Sequence, residues 1–584
     1  MDGSPTPLPE RKIPTKKEAA LFRIKTVLLQ AKRAVINKTS GRTSRFFKGS
    51  IHRNASAIAK SVTPLWTETD DREKVLVAGK IQNLRIAVSK LNGLEIPAGA
   101  TFSFWKHLGR ASRFRGFVAG RELREGCIIP NVGGGLCQIS NALYDVAMQA
   151  GFEIVERHAH TQIVAGSLAE TGRDATVFWN YVDLRFRSSR PFRIEANLDS
   201  ENLTVTFRGE KIETKPLHQI NRRSEQSEPN SCATCEIGDC HRVIRSTGDR
   251  HFGRAAFLVD EFMPEFDQYA QVLRTKDDLL CIPLDGKRFR KGNYAWTAEG
   301  FGDVRQSLFV TAKRSYRSRK LATQGAARQL NLLAMYKELA ESYARKLSFD
   351  VLHVTVQQSL LPYLWRNGYL GGRTFDVLMT ALPMSEIQRR LDHAGSLHPE
   401  SKTLGDFRAD PDLVAAETEA LKHAAKIVTP HSEIATLFPD NTELLEWRLP
   451  DTKPLDKTKN EKPVIVFPAS TVGRKGCYEL RETIRDLDVK LLTLGPYVEG
   501  SDFWGGFDVE RGGDDWLSKA DLVVLPAFVE HKPRRLLLAA ASGVPVIAST
   551  ACGVGTISSI TSIEADDAAT LSDAIGAALQ KRFK

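Results

Sequence analysis

Four short apolar runs near the C-terminus constrain the fold most. VIVFPA, KLLTLGP, DLVVLPA and PVIAST follow one another after residue 462, separated by segments with helical patterning. Each run is too short for a helix and too continuous for a strand with one wet face, so each reads as a strand buried on both sides. That is the rhythm of a parallel sheet covered by helices. Further upstream, AAFLVD and DVLHVTV alternate with long helical stretches such as residues 321–346, which predicts a second sheet of the same kind. Earlier still, ATVFWNYVDLRFRS and FRIEANLDSENLTVTFRG alternate polar and apolar residues as half-buried strands do. The polar stretches KIETKPLHQINRRSEQSEPNS (211–231) and DTKPLDKTKNEK (451–462) read as linkers. The expected organisation is multidomain α/β: a basic arm (1–64), an α+β domain (65–210), a linker and Cys-rich hinge (211–249), and two doubly wound lobes (250–450 and 451–584).

The charge is concentrated in the arm. Residues 1–60 hold 14 Lys or Arg against Asp2, Glu10 and Glu18, which accounts for +11 of the chain's +12. Leu21, Ile24, Leu28, Ala31 and Val35 recur there at helical spacing beside Arg23, Lys25, Lys32 and Arg33. Such a helix suits an anionic membrane surface, where each basic residue near the lipid contributes about 1 kcal/mol; the alternative is that its apolar stripe docks onto the following domain. No aromatic platform accompanies the charge, which argues against nucleic acid. No run reaches the ~18 apolar residues of a membrane span, and the N-terminus lacks a signal-peptide core, so a cytoplasmic protein is expected, with the inner membrane face as a peripheral site. Eight cysteines in such a compartment are thiols, ligands or nucleophiles before they are disulfides.

One cysteine stands in a turn suited to chemistry. In IIPNVGGGLCQISNALYDVAMQAG, Gly133, Gly134 and Gly135 free the backbone, and a helix is predicted from Cys137 with Ile139, Ala142, Leu143, Val146 and Ala147 on one face and Gly151 ending it. A helix N-terminus stabilises a thiolate, and its unpaired N–H groups suit the oxyanion of an acyl-transfer intermediate. Downstream, His158 and His160 are two apart, so on a strand they would share a face. One of them is a candidate base for Cys137, with Asp174 or Glu156 to orient the imidazole and Arg173 to bind a substrate carboxylate. A buried structural cysteine with hydrogen-bonded histidines is the alternative.

The run from LNGLEIPAGATFSFW through GGGLCQISNALYD to ERHAHTQIV and GRDATV closely resembles the VanW family over about a quarter of the chain. Members have been linked to L,D-transpeptidase-like chemistry on peptidoglycan stem peptides. The resemblance implies a Cys137 nucleophile, His158 or His160 as base, and a site near Gly133–Gly135, Gln138, Ser140, Arg173 and Asp174. Wall crosslinking lies outside the cytoplasm, so a cytoplasmic acyl or peptide precursor is one substrate this implies.

After the first linker, SCATCEIGDCHR places Cys232 and Cys235 in CxxC spacing, with Cys240 and His241 beyond. CxxC is half of a zinc site, and a closed site needs four ligands. Cys232, Cys235, Cys240 and His241 are the candidate set for zinc, with an iron–sulfur cluster or a metal-free turn as alternatives.

No phosphate-binding GxxxxGK[ST] or GxGxxG pattern is present, which disfavours an NTPase or dehydrogenase. The segment DDWLSKADLVVLPAFVEHKPRRLLLAAASGVPVIASTACG resembles the donor lobe of retaining GT-B glycosyltransferases, with Pro526 and Glu530 at the turn and Ser542, Gly543, Pro545 and Val546 at the helix end and next strand. VIVFPASTVGRKGCYELRE resembles the loop that presents cations to the donor diphosphate, matching at Lys475 and Gly476, and Asp350 to His353 resembles the acceptor lobe's strand end, where a histidine faces the sugar. Two Rossmann-like lobes of the GT-B type are thus implied. The family's second glutamate is replaced by Leu538 and its usual arginine by Ser470, although Arg474, Arg534 or Arg535 offer charge. The combined expectation is an envelope- or polysaccharide-related transferase. Cys137 would serve acyl or peptide transfer. Lys475, Arg474, Glu530 and Gly543 would bind a nucleotide-sugar donor and His353 a glycan or peptidoglycan-precursor acceptor, with no cofactor required. The rivals are a cysteine acyltransferase on a degenerate glycosyltransferase scaffold and a non-catalytic assembly protein.

Overall fold

The computed structural model describes residues 15–39, 44–68, 70–124, 127–160, 167–210, 230–231, 252–320, 325–452, 456–458 and 460–580. The chain forms two compact units. The first holds residues 1–253 with the short segments 348–352 and 367–373, and the second holds the remainder.

In the first unit, strands Phe192–Leu198 and Asn202–Gly209 form an antiparallel hairpin, flanked by Ala57–Pro64 on one edge and Leu94–Ile96 on the other. Alternation decides which face is wet. Phe192, Ile194, Ala196, Leu203, Val205 and Phe207 are buried, while Arg193, Glu195 and Arg208 pair on the outer face. Phe102, Phe152 and Phe186 join Phe192 and Phe207 in one aromatic cluster with centroids 4.6 to 6.3 Å apart. Each such ring contributes about 1.5–3 kcal/mol by leaving water. The helix Asp71–Leu91 and the helix Cys137–Gln149 cover this core. The second buries Ile139, Ala142, Leu143, Val146 and Ala147, the face its sequence spacing predicts.

The arm folds as a helix, Lys16–Thr39, and docks by its polar side. Gln30 donates to the Trp179 carbonyl at 3.0 Å, Asn180 returns a bond to the Gln30 carbonyl at 2.8 Å, and Arg33 pairs with Glu156. Asn37 accepts from Arg185 at 2.8 Å. Docking of the apolar stripe onto the following domain is therefore not what occurs. Leu21, Ile24, Leu28, Ala31 and Val35 lie on the opposite side of the helix and are exposed. The polar groups win the contact because they satisfy carbonyls and a carboxylate that would otherwise lose their partners.

The second unit contains two parallel sheets. Seven strands are ordered Asp303–Gln306, Leu279–Ile282, Arg254–Leu258, Val351–Gln357, Thr374–Leu378, Lys426–Thr429 and Thr442–Leu444. Six more are ordered Val509–Arg511, Lys490–Thr493, Val464–Phe467, Leu522–Leu525, Val546–Ser549 and Ile560–Ile563. Numbered in chain order, both sheets begin 3-2-1-4-5-6, the Rossmann-like order, with the winding reversing between the first and fourth strands. The strands on either side of that reversal in the six-stranded sheet, Val464–Phe467 and Leu522–Leu525, are buried at every position, as strands covered on both faces must be. The expected α+β domain and two Rossmann-like lobes are both present. No helix among the described residues is long and apolar enough to cross a membrane.

Candidate active site

The glycine turn owes its shape to close backbone contacts. Gly133 and Gly135 have φ of +83° and +91°, where side chains are strained. A Cβ on Gly134 would lie 2.3 Å from the Gly120 carbonyl oxygen, and one on Gly79 would lie 2.0 Å from that of Ala119. These glycines let the helix Asp71–Leu91, the hairpin Ala119–Arg124/Cys127–Val132 and the turn approach within backbone contact. Asn83 ties them together, donating to the Val118 carbonyl at 3.0 Å and the Gly134 carbonyl at 2.9 Å, and accepting the Val118 N–H at 2.9 Å. Lys80 is buried beside Gly135, donates to the Leu65 carbonyl at 2.8 Å, and is pulled down by burial to about 7.

The turn delivers Cys137 to the first position of its helix, half-exposed, with the Val177 carbonyl 4.0 Å from Sγ. Two side chains of the same helix fix the facing segment: Ser140 donates to the Ala175 carbonyl at 2.6 Å, and Asn141 accepts the Ala175 N–H at 2.9 Å. The neighbouring Asp174 is buried. Its Oδ2 accepts both the His160 backbone N–H at 2.6 Å and His160 Nδ1 at 2.7 Å, while Oδ1 accepts from Arg157 at 2.8 Å. Nδ1 is thus occupied by Asp174, and Cys137 is near enough to raise the same imidazole. Burial disfavours the charged imidazole, but the bonds and charges of Asp174 and Cys137 outweigh it and raise His160 to about 10. Asp174, His160 and Cys137 thus stand next to one another, the imidazole bonded to the carboxylate and raised also by the cysteine.

Other predicted residues stand elsewhere. His158 and His160 do not share a strand face. The strand Glu153–Glu156 ends before them, and His158 is 55% exposed at 3.8 Å from Glu156. The backbone bond from His160 to Asp174 takes the segment out of a ladder, so two-residue alternation fails. Glu156 meets His158 only at that 3.8 Å distance and makes no bond to His160. It pairs with Arg33, lies 3.4 Å from Arg185 and accepts the Asp183 N–H at 3.1 Å. Arg173 is held by Asp145 at 2.9 Å, and Asp145 in turn accepts from Ser61 at 2.6 Å. Gln138 donates to Thr63 at 3.0 Å and the Pro64 carbonyl at 2.8 Å, and Ser140 positions Ala175. Sequence reasoning missed Arg157, which holds Asp174 from behind with its guanidinium 5.0 Å from the Tyr144 ring centroid, and Asn141, one turn along the helix from Cys137. A lone arginine inside ERHAH and a polar residue at i+4 from the cysteine were the available signals.

In the second unit, the cations lie past the carboxyl end of Val464–Phe467. Lys475 bonds Glu530 and the Val529 carbonyl at 2.8 Å each, and Glu530 also accepts the His531 and Lys532 N–H groups. Burial favours the neutral acid, yet the Lys475 charge outweighs it and holds Glu530 at about 2. Gly476 at φ +74° permits this approach, since a Cβ there would sit 1.9 Å from the Pro526 oxygen. Arg474 is depressed by burial and lies 5.0 Å from the Phe407 ring centroid. Arg534 binds Glu265 through both nitrogens at 2.8 and 2.6 Å, and Arg535 donates to the Pro468 and Leu494 carbonyls. Gly543 caps the helix Arg534–Ala541 at φ +72°, and Leu538 packs on the apolar core. His353 is not at a strand end that faces ligand. It is the third residue of Val351–Gln357, at the amino end, paired with Thr374 at 2.9 Å and Asp376 at 3.2 Å, whereas ligands of such sheets bind at carboxyl ends. Cys232, Cys235, Cys240 and His241 lie outside the described residues.

The VanW like protein family matches residues 79–208. The uncharacterized protein YoaR of Bacillus subtilis is 29% identical over 140 residues, covering 24% of this chain and 46% of that protein, so the chain spans about half the length of that relative. Among solved structures, the lipopolysaccharide outer core galactosyltransferase WaaB matches at 13% identity and a TM-score of 0.33 over 57% of this chain and 91% of its own. Sucrose-phosphate synthase from Thermosynechococcus elongatus matches at 14% and 0.35, over 56% of this chain and 90% of its own. The vancomycin B-type resistance protein VanW of Enterococcus faecalis is 30% identical over 230 residues, 38% of this chain and 76% of that protein. With three quarters of that relative covered, and with Cys137, His160 and Asp174 all inside the matched region, the chain belongs to the VanW family.

Proposed function

We propose that the first unit transfers acyl groups through Cys137 in envelope metabolism. The observation that carries this reading is the bond from His160 to buried Asp174, with Cys137 at the start of its helix beside the same imidazole. With His160 already holding the proton as imidazolium, the Cys137 sulfur attacks the substrate carbonyl, and the helix N-terminus faces the resulting oxyanion. His160 then returns the proton to the departing amine, leaving a thioester for a second amine or water to take. A peptidoglycan stem peptide or its precursor is the acyl donor suggested by the family resemblance. The test is intact-mass trapping of an adduct on the full chain incubated with stem peptides. An adduct on Cys137 that disappears in Cys137→Ala supports the reading, and one that persists in that variant removes it.

The second unit, in this reading, takes a nucleotide sugar at the crevice beside Arg474, Lys475 and Glu530 and transfers the sugar to a glycan or precursor acceptor. Its two Rossmann-like sheets and the cations past a central strand's carboxyl end support this. A binding module without turnover is favoured by one observation: the position of the second glutamate is apolar Leu538, packed on the core. Glu530→Ala separates the two, because only an active site loses nucleotide-sugar hydrolysis. The outward apolar face of the helix Lys16–Thr39, with Lys17, Lys25 and Lys32 also exposed, supports peripheral attachment to an anionic membrane.

A further inference from the structure

Between the arm helix and the first unit's body lies a cavity of about 620 Å³, within the 300–1,000 Å³ usual for small-molecule sites. Its wall carries six lysines and arginines and a single acid, Asp183. Two of the cations are already spent: Arg33 pairs with Glu156, and Arg185 with Asp183 and Glu156. Four are not. Arg115 donates only to the Arg110 and Leu108 carbonyls, at 2.9 Å each. Arg45, Lys106 and Arg110 have no carboxylate partner among the described residues.

The surplus is felt by neighbours. Lys90 is pulled down to about 8, first by burial and then by Arg115 and Arg45, and His107 is lowered by burial with Arg45 acting in the same direction. Arg45, Lys106, Arg110 and Arg115 are solvent-accessible at the mouth of the cavity, where their summed positive field would draw in a polyanion. The rest of the wall holds two indole rings, Trp105 and Trp179, beside Tyr181 and the polar Asn37, Ser103 and Asn180. Trp105 and Trp179 meet edge to face at 5.4 Å, and Trp105 is fixed by a 2.8 Å bond to the Val182 carbonyl. A lone phosphate would fill a small part of the space and leave these rings idle.

We propose that this cavity binds a diphosphate ester, with Arg45, Lys106, Arg110 and Arg115 on the phosphates and Trp105 and Trp179 against the attached group. The ester's organic part comes from a nucleoside or from a long-chain isoprenoid. The exposed apolar face of the same arm helix would put the second source within reach at a membrane surface. This site is separate from the cysteine chemistry and stands whether or not Cys137 turns over.

Calorimetric titration of the full chain with inorganic pyrophosphate, UDP and farnesyl diphosphate tests it. A Lys106→Ala/Arg110→Ala double variant is expected to weaken pyrophosphate binding by roughly tenfold or more. Lys106→Arg/Arg110→Lys should restore it, with every titration run in an Arg474→Ala/Lys475→Ala background so that the second unit's crevice does not contribute. Whichever ester binds more tightly than pyrophosphate, and loses that advantage in Trp179→Ala, identifies the organic part. No measurable binding of any probe, or binding that survives Lys106→Ala/Arg110→Ala undiminished, overturns the proposal.

Discussion

Replacing Asp174 by Asn should lower the affinity of His160 for its proton by a measurable amount. His160 is raised from an ordinary 6.5 to about 10. At 1.36 kcal/mol per pH unit, that is about 5 kcal/mol favouring the imidazolium. Asp174 and Cys137 supply it against the opposing effect of burial, each by a hydrogen bond and by charge. Since burial opposes both partners, losing Asp174 removes at least half of this net figure, at least about 2 kcal/mol, and His160 should fall to roughly 8 or below in Asp174→Asn. The side chain is 19% exposed, so solvent screens little of this. The assay is a histidine proton NMR titration, with His160→Gln to assign the resonance. Because the folded value is raised, the stabilisation is complete below pH 6.5 and is lost as the pH rises through about 10. The stability difference between wild type and Asp174→Asn should therefore hold up to roughly pH 8 and shrink from there to about 10. The difference is the quantity to follow, since buried Lys80, depressed to about 7, changes wild-type stability in the opposite sense over much of the same range. A His160 titration near 6.5 in the wild type, unmoved by Asp174→Asn, would refute the reasoning. In a serine triad, the corresponding Asn substitution costs about 10⁴ in turnover, and an acyl-transfer rate in this variant within tenfold of wild type would count against the triad assignment.

Glu530→Gln should cost about 3 kcal/mol above pH 4.5, because the carboxylate is held at about 2. That cost should vanish as the pH falls through about 2, as read by urea denaturation of wild type and variant in parallel. Gly476→Ala at φ +74° places a Cβ 1.9 Å from a backbone oxygen, so a loss of more than about 2 kcal/mol is expected. Differential scanning calorimetry should show the melting temperature falling, and an unchanged endotherm would contradict the described packing. Ile24→Asp/Leu28→Asp should abolish co-flotation with phosphatidylglycerol vesicles while leaving the melting temperature within a degree or two, since both residues are exposed.

Legibility in the sequence followed periodicity. The apolar runs at 464–467, 522–525 and 546–549 became strands at those positions, because burial on both faces leaves no alternative pattern to confuse them. The helix from Cys137 and its buried face were equally plain, since one side must satisfy the core. The cysteine site was half legible. Cys137, His160 and Asp174 lie within motifs that are contiguous in the chain, but the choice of His160 over His158 depends on an irregular segment held by Asp174 through both backbone and side chain. Two-residue alternation has no authority there. The arm helix misled in a different way. Its apolar stripe pointed to a core contact, whereas Gln30, Arg33 and Asn37 make the contact through specific polar partners that no periodicity records. His353 failed because a strand's identity does not tell which of its ends a given residue occupies.

The two residues Asp174 and Ala175 act as a clasp. One holds the imidazole arm by two bonds, and the other is held by the helix that presents the sulfur. The spacing between sulfur and imidazole is therefore gauged at that dipeptide and not by the chain that joins positions 160 and 174. A change at Ser140 or Asn141, on the helix itself, would therefore be felt at the imidazole through Ala175 and Asp174.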